Sequence, residues 1–234
     1  KRLQHAETIL VAILGICITA AITLIACEST NRNRQYLFDR LVETDLDKIR
    51  DVFHGVRRAI EVIARSITAK SDLDRQKFRL LARPLTASTA IRSYQWIPIV
   101  AAADKEIFEQ QIKNEGIADF AIWEKDESGN RKPAGTRSQY YPICYREPSE
   151  EDSDMLGFDI ASESTRRAAM ELSAQVKLVS ATKPIPMIQE PAGEKIILAF
   201  HPVYNAQTLA LRGFALGVIR PQILVETALA LDPN

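Results

Sequence analysis

Cysteine is scarce. Three occur in 234 residues: Cys17, Cys27 and Cys144. The first two lie in or beside a hydrophobic run, which leaves Cys144 alone in the soluble part. That count excludes a disulfide framework and a cysteine-rich zinc site. A lone thiol is compatible with an oxidising compartment without requiring one. Excess charge of either sign is missing too, since 30 Lys plus Arg balance 30 Asp plus Glu. A nucleic-acid partner, which needs clustered basic excess, is not expected. The histidines His5, His54 and His201 are scattered, and none forms a metal-ligand pair. There is no G-x-S-x-G elbow, phosphate loop or dinucleotide fingerprint. Cys144 and His201 could pair as thiol and imidazole, but both lie in apolar stretches that read as core. The acidic run Glu147 to Asp154 lacks the alternating ligand spacing of a calcium loop and reads as solvated. No catalytic residue, metal ligand or cofactor is expected.

What is present is an ordinary globular composition, 46% apolar and 26% charged, long enough for one large domain or two small ones. Ile9 to Ala26 (ILVAILGICITAAITLIA) carries no charge and as a helix reaches about 27 Å, close to a bilayer's hydrocarbon thickness. The expectation is a transmembrane helix over 9–27 behind a cytoplasmic tail, 1–8. Lys1 and Arg2 before the run favour that orientation, and Arg32, Arg34 and Arg40 after it weaken the rule. The localisation that follows is the inner (plasma) membrane with a single span, the remaining domain being periplasmic or extracellular. Two other readings stay open. A secretory signal peptide would have a shorter apolar core. A lipoprotein signal at Leu24 to Cys27 would be cleaved before Cys27, which would then be acylated.

A stalk follows over 28–83, a long helix and a short second one. Val42, Leu46, Ile49, Phe53, Val56, Ile60, Ile63 and Ile67 are spaced alternately by four and three residues, an unbroken heptad seam with charges filling the faces between. The seam fits packing on the domain's own core, or a parallel homodimer interface, or one at each end. Ser71 and Asp72 stand where the second helix, near Leu73 to Arg83, would be capped, and Pro84 ends it.

From 84 to 220 the pattern changes to short strands and turns. Strands are expected at Arg92 to Val100, Ala118 to Lys125, Gln139 to Arg146, Leu178 to Thr182 and Ile185 to Gln189. Lys195 to Tyr204 and Gly213 to Ile219 are the strongest strand candidates. Helices are expected at Ala103 to Asn114, ended by Gly116, and at Glu163 to Gln175. Ser162 would cap the latter, and Ala168, Leu172 and Val176 would face inward. Pro221 suits a first helical turn, so 221–234 reads as the start of a membrane-proximal segment. The sum is an α+β fold: a transmembrane helix continuing into a long stalk helix, then an antiparallel sheet with flanking helices.

Several ordered pieces carry a family likeness: WIPIV at Trp96 to Val100, Phe108-Glu109, YPICYREP at Tyr141 to Pro148, GFDIASESTRRAA at Gly157 to Ala169, and HPVY at His201 to Tyr204. Together they resemble the CHASE domain, an extracytoplasmic ligand sensor. One departure is that an arginine common after the first strand is absent, with Lys105 nearest. The resemblance implies a PAS-like fold on a long helix. It also implies an output domain further along, a histidine kinase, a diguanylate cyclase or phosphodiesterase, or an adenylyl cyclase. In the plant cytokinin receptors of this family an aspartate at the GFD position holds the adenine ring, which by motif is Asp159 here. Ala181 stands where those receptors carry a leucine wall, so the pocket would differ in shape.

The implied partner is a small molecule, for instance a heterocycle such as an adenine derivative, together with the membrane and a second copy of the chain. The candidate ligand-binding residues are Asp159, Phe158, Thr182, Tyr145, Trp96, Met187 and Phe200, with Gln189 beside them. The other reading of Asp159 is that it steadies the helix beginning near Glu163, and aromatics on strands also read as core. Arg166 and Arg167 read as solvated, although one could meet an anionic ligand. The function expected is a ligand-sensing region of a signalling receptor. The alternatives are a lipid-anchored binding protein and an extracytoplasmic hydrolase.

Overall fold

The computed structural model describes residue 19 and residues 43–69, 73–86, 90–148, 153–187 and 193–230. The chain divides into two compact units, Lys1–Lys48 and Ile49–Asn234. In the smaller unit the description covers Thr19 and the first turns of helix α1, which runs over 43–68. Lys48 pairs there with Asp45 at 3.4 Å.

The larger unit is an antiparallel sheet enclosed by helices. Its main path runs β6 (Tyr145–Glu147), β1 (Ile91–Pro98), β10 (Leu211–Ile219), β9 (Lys195–Tyr204), β7 (Ser180–Ala181), with β8 (Ile185–Pro186) also paired to β9. Two small ribbons flank it: β2 (Val100–Ala101) with β5 (Gln139–Tyr140), and β3 (Trp123–Lys125) with β4 (Arg131–Pro133). The helices are α2 (Arg75–Ala82), α3 (Lys105–Asn114), α4 (Ser164–Val176) and α5 (Pro221–Ala230).

Both faces of the sheet are buried, so its central strands carry apolar residues at successive positions rather than alternate ones. On β10, Ala215 and Ile219 belong to one core and Phe214, Leu216 and Val218 to the other. The first core takes α1. Val56, Ile60, Ile63 and Ile67 pack there with Tyr94, Trp96, Ala199 and Val203. The small residues Ala199, Ala215 and Gly217 let the helix approach. A Cβ on Gly217 would lie 2.7 Å from Ile60 Cδ1, inside contact distance. The second core takes α4 and the Gly157 to Ile160 segment. Ser173 Oγ donates to Phe200 O at 2.8 Å and fastens α4 to β9.

The expected fold class is corrected. The structure is α+β with a mixed helix and sheet core. Among the described residues no helix is long and apolar enough to cross a membrane. The transmembrane helix, and the single-span inner-membrane localisation drawn from it, are therefore not part of the observed fold. The long helix that is observed, α1, keeps Asp, Glu, Lys and Arg on its free faces, each costly in hydrocarbon. The run Ile9 to Ala26 on which the expectation rested lies outside the described residues, Thr19 apart, as do the Leu24 to Cys27 motif, Val42, Ser71 and Asp72.

Other differences are local. The heptad seam divides: Val56, Ile60, Ile63 and Ile67 are buried in the domain's own core, while Leu46 and Phe53 are exposed. The strands expected over 118–125 and 139–146 shrink to their ends, since loop carbonyls and amides between them bond to the GFD segment instead. Asp74 caps α2, accepting from the Lys77 amide at 2.8 Å. Glu163 rather than Ser162 caps α4. The inward face of α4 is Arg166, Ala169, Met170 and Ser173, whereas Leu172 and Val176 are 49% and 45% exposed.

Ile60→Ala is expected to lower unfolding free energy by about 3 kcal/mol, as for a fully buried isoleucine. Val62→Ala, on the exposed face of the same helix, should change it by less than ~0.5 kcal/mol. Urea unfolding of both variants measures the difference.

Candidate functional site

Strand β1 is the starting point. Its residues Tyr94 and Trp96 face the α1 core, so Ser93 and Gln95 face the other side. A register shift between Ile91 and Ser93 marks a bulge, and bulges re-aim side chains. Arg92, the extra residue, lines the same cavity as Ser93. Across the sheet, Gln95 stands opposite Arg146 on β6 and Leu216 on β10. Leu198 and Ile196 extend the floor along β9, and Met155, Ile160 and Met187 close it from above with Arg166 of α4. These residues line a partly open cavity of about 40 Å³, room for roughly three water-sized groups.

Its polar residues are unusual for their depth. Ser93 is fully buried, Gln95 is 5% exposed and Arg166 is 6% exposed. Gln95 Nε2 donates to Ser93 Oγ at 3.3 Å, but Gln95 Oε1 is buried without a partner. Arg166 lies 3.5 Å from Glu163 Oε2 on its own helix, and its guanidinium carbon lies 5.8 Å from the Phe158 ring centre. Burial lowers the Arg166 pKa, and Glu163 acts the other way. Buried polar atoms left unpaired cost about 1–3 kcal/mol each. Arg92 and Arg146 make contacts of their own.

The GFD segment forms a second, neighbouring cluster. Gly157 has φ +81°, and a Cβ there would meet Ala121 O at 2.1 Å, so only glycine fits. Its amide donates to Ile143 O at 2.9 Å, and the Trp123 amide donates to its carbonyl at 3.0 Å. Asp159 is completely buried. It accepts from Arg137 Nη1 at 2.9 Å and from the Tyr141 amide at 3.1 Å. Arg137 Nη2 also bonds Glu124, which Lys132 reaches at 3.2 Å. Burial holds the Asp159 carboxyl above its usual range, with the Tyr141 amide and Arg137 pulling it back. Glu124 is held below its usual range: burial pushes up, and Lys132 and Arg137 outweigh it.

The seven expected ligand residues do not converge. Met187 lines the cavity. Phe158 and Phe200 belong to the core around it, with Phe200 edge-on to Phe214 at 6.4 Å. Thr182 Oγ1 accepts from the Leu198 amide at 3.1 Å, which ties it to β9. Asp159 faces Arg137. Trp96 and Tyr145 lie on the opposite side of the sheet, in the α1 core, where Tyr145 OH donates to Glu115 at 2.9 Å. Gln189 lies outside the described residues. Cys144 and His201 are also apart in their surroundings: the thiol feels Glu115 and Tyr145, the imidazole Glu61 and Arg65. The cavity residues that sequence reasoning missed are Arg92, Ser93, Gln95 and Arg146. For Ser93 and Gln95 the signal was polar residues at alternate positions of a strand, a pattern that ordinarily denotes a solvated face.

A CHASE domain family model matches residues 71–234. Among solved structures the chain is similar to an extracellular ligand binding receptor from Desulfohalobium retbaense, at 13% identity and a TM-score of 0.50, with 81% of this chain and 26% of that chain covered. It is also similar to the ligand binding domain of the Pseudomonas aeruginosa amino acid chemoreceptor PctC in complex with GABA, at 15% identity and a TM-score of 0.46, with 79% and 64% covered. The chain thus spans about a quarter of the first structure and under two thirds of the second. At such identities the likeness concerns the fold alone. No curated protein matches.

Arg137→Met leaves the buried Asp159 carboxylate without a charged partner and is expected to cost about 3 kcal/mol at pH 7. A carboxyl whose pKa is raised by folding binds more protons in the folded state, so its contribution to stability improves as pH falls toward that pKa. The variant should regain part of its loss between pH 7 and pH 5, where the wild type changes less. Urea unfolding at the two pH values reads this out.

Proposed function

This chain belongs to the CHASE domain family, a family of non-catalytic sensor modules, and we propose that it senses a small molecule held in the cavity between β1, β9, β10 and α4. The observation that carries the proposal is the set of deeply buried polar side chains, Ser93, Gln95 and Arg166, that line a cavity together with aliphatic residues. A core built only for stability gains nothing from them. In this reading the seven residues expected from sequence act as wall and support rather than as the contact set, Met187 excepted. An adenine-type ligand on Asp159 would first have to displace Arg137 from it.

The response would run through the sheet. The strands that floor the cavity carry, on their other face, the residues against which α1 packs from Ile49 onward. A ligand that binds one packing arrangement more tightly than another shifts the balance between them. The α1 helix would carry that shift to an output domain of the histidine kinase or nucleotide cyclase class. Two copies would meet through the exposed apolar residues of α1.

A ligand at one hundred times its Kd stabilises the folded state by about 2.7 kcal/mol, which for a domain of this size raises Tm by roughly 5–10 °C. Screening small polar metabolites against the chain by thermal unfolding is expected to find such a compound. Ser93→Val, which replaces the hydroxyl by a methyl and adds a second methyl in the cavity floor, should weaken the affinity at least tenfold. A shift of unchanged size in Ser93→Val and Met187→Ala alike would place the ligand elsewhere.

A further inference from the structure

We infer that the cavity is built for a small organic anion that also brings a hydroxyl donor, the chemistry of a short hydroxycarboxylate. This rests on the cavity being the sensory site and adds the class of ligand.

The first observation is charge. Three arginines, Arg92, Arg146 and Arg166, line the cavity, and among the described residues no aspartate or glutamate does. Arg166 carries most of the argument. Its guanidinium is buried among Phe158 and the aliphatic residues, and Nε has no hydrogen bond. Its ion-pair partner in the protein, Glu163, is a 3.5 Å contact one turn away, with a side chain 42% exposed. That carboxylate also caps the helix through the Thr165 amide at 3.3 Å. The Glu163 oxygen facing it, Oε2, is buried as well, yet neither that oxygen nor Nε completes a hydrogen bond, so the pair is under-compensated. A ligand carboxylate completes it, with the fork geometry that arginine favours.

The second observation is a hydrogen-bond acceptor. Ser93 Oγ already takes the Gln95 amide hydrogen, and Gln95 Oε1 is left buried and unpartnered in the lining. It calls for a donor from the ligand. The lining carries three arginines and no carboxylate side chain, which favours a neutral donor over an ammonium, and a hydroxyl is the smallest such group. The third observation is size. A partly open cavity of about 40 Å³ keeps the ligand short, and Leu198, Leu216, Val218 and Met187 provide an aliphatic wall for a short carbon chain.

The experiment is isothermal titration of the full chain with glycolate, L-lactate, D-lactate and 3-hydroxypropionate. Three comparators go alongside: propionate (carboxylate without hydroxyl), lactamide (hydroxyl without charge) and alaninol (a hydroxyl with an ammonium). At least one hydroxycarboxylate should bind, propionate about tenfold more weakly than lactate, and lactamide and alaninol not measurably. Arg166→Met removes a buried charge and fills its space, so the free protein should unfold at the same temperature or higher while hydroxycarboxylate binding is lost. Gln95→Leu should bring lactate and propionate to within about twofold of each other. Binding of lactamide or alaninol as tight as lactate would overturn the anion and leave the sensory cavity standing, provided that Ser93→Val weakens it. Failure of all four hydroxycarboxylates overturns the inference. Failure of every compound in the wider metabolite screen as well overturns the cavity as the sensory site.

Discussion

The central strands β1, β10 and β9 must satisfy two cores at once, and most of the structure follows from that constraint. Because neither face of the trio meets water, the side chains of each strand are divided between α1 on one side and α4 with the GFD segment on the other. On the helix side Ala199, Ala215 and Gly217 let α1 come close, beside the large Tyr94 and Trp96 of β1. The cavity lies on the other side, between the strands, the GFD segment and α4. Sheet pairing is continuous between the two, which makes the strands a stiff plate. A change of packing on one face is felt on the other because interiors this dense do not deform smoothly.

Two polar clusters sit in that second layer and differ in kind. Around Asp159 the charges are matched: a buried carboxylate has an arginine and a backbone amide, and the arginine in turn has Glu124. Such a network orients the GFD segment and explains why the loop between β5 and β6 folds back onto it. Around Gln95 and Arg166 the matching is incomplete: Gln95 Oε1 and Arg166 Nε lack hydrogen bonds, although Glu163 pairs with Arg166 at 3.5 Å. The same low dielectric that strengthens the first cluster makes such unmade bonds costly in the second.

Much of the element order could be read from residue patterns. β9 runs over the ten residues expected, Lys195–Tyr204, because the segment is rich in apolar and β-branched residues that the sheet buries on both faces. Helix α5 begins at Pro221 and α3 ends where Gly116 takes a positive φ. The family pieces were legible too, and they match the family region 71–234. What misled were faces and lengths. The apolar residues Leu172 and Val176 on α4 are exposed, while Arg166 turns inward, since the neighbours that decide a face lie elsewhere in the chain. The strands around 118–125 and 139–146 are short because isolated bridges to Phe158 and Asp159 take the bonding groups that longer ladders would use.

By itself the sequence determined the class of the domain, the order of its main elements and, through pieces such as the GFD motif at 157–159, its family. These are properties of local spacing, backbone freedom and residue type, which are written along the chain. Only the tertiary structure decided that half of the heptad seam is spent on the domain's own sheet, that Asp159 answers Arg137, and that the cavity belongs to Ser93, Gln95 and Arg166. Those outcomes depend on cross-strand register and on a one-residue bulge at Arg92. A single step of register moves every side chain of a strand to the other face, and register is set by partners that are distant in sequence.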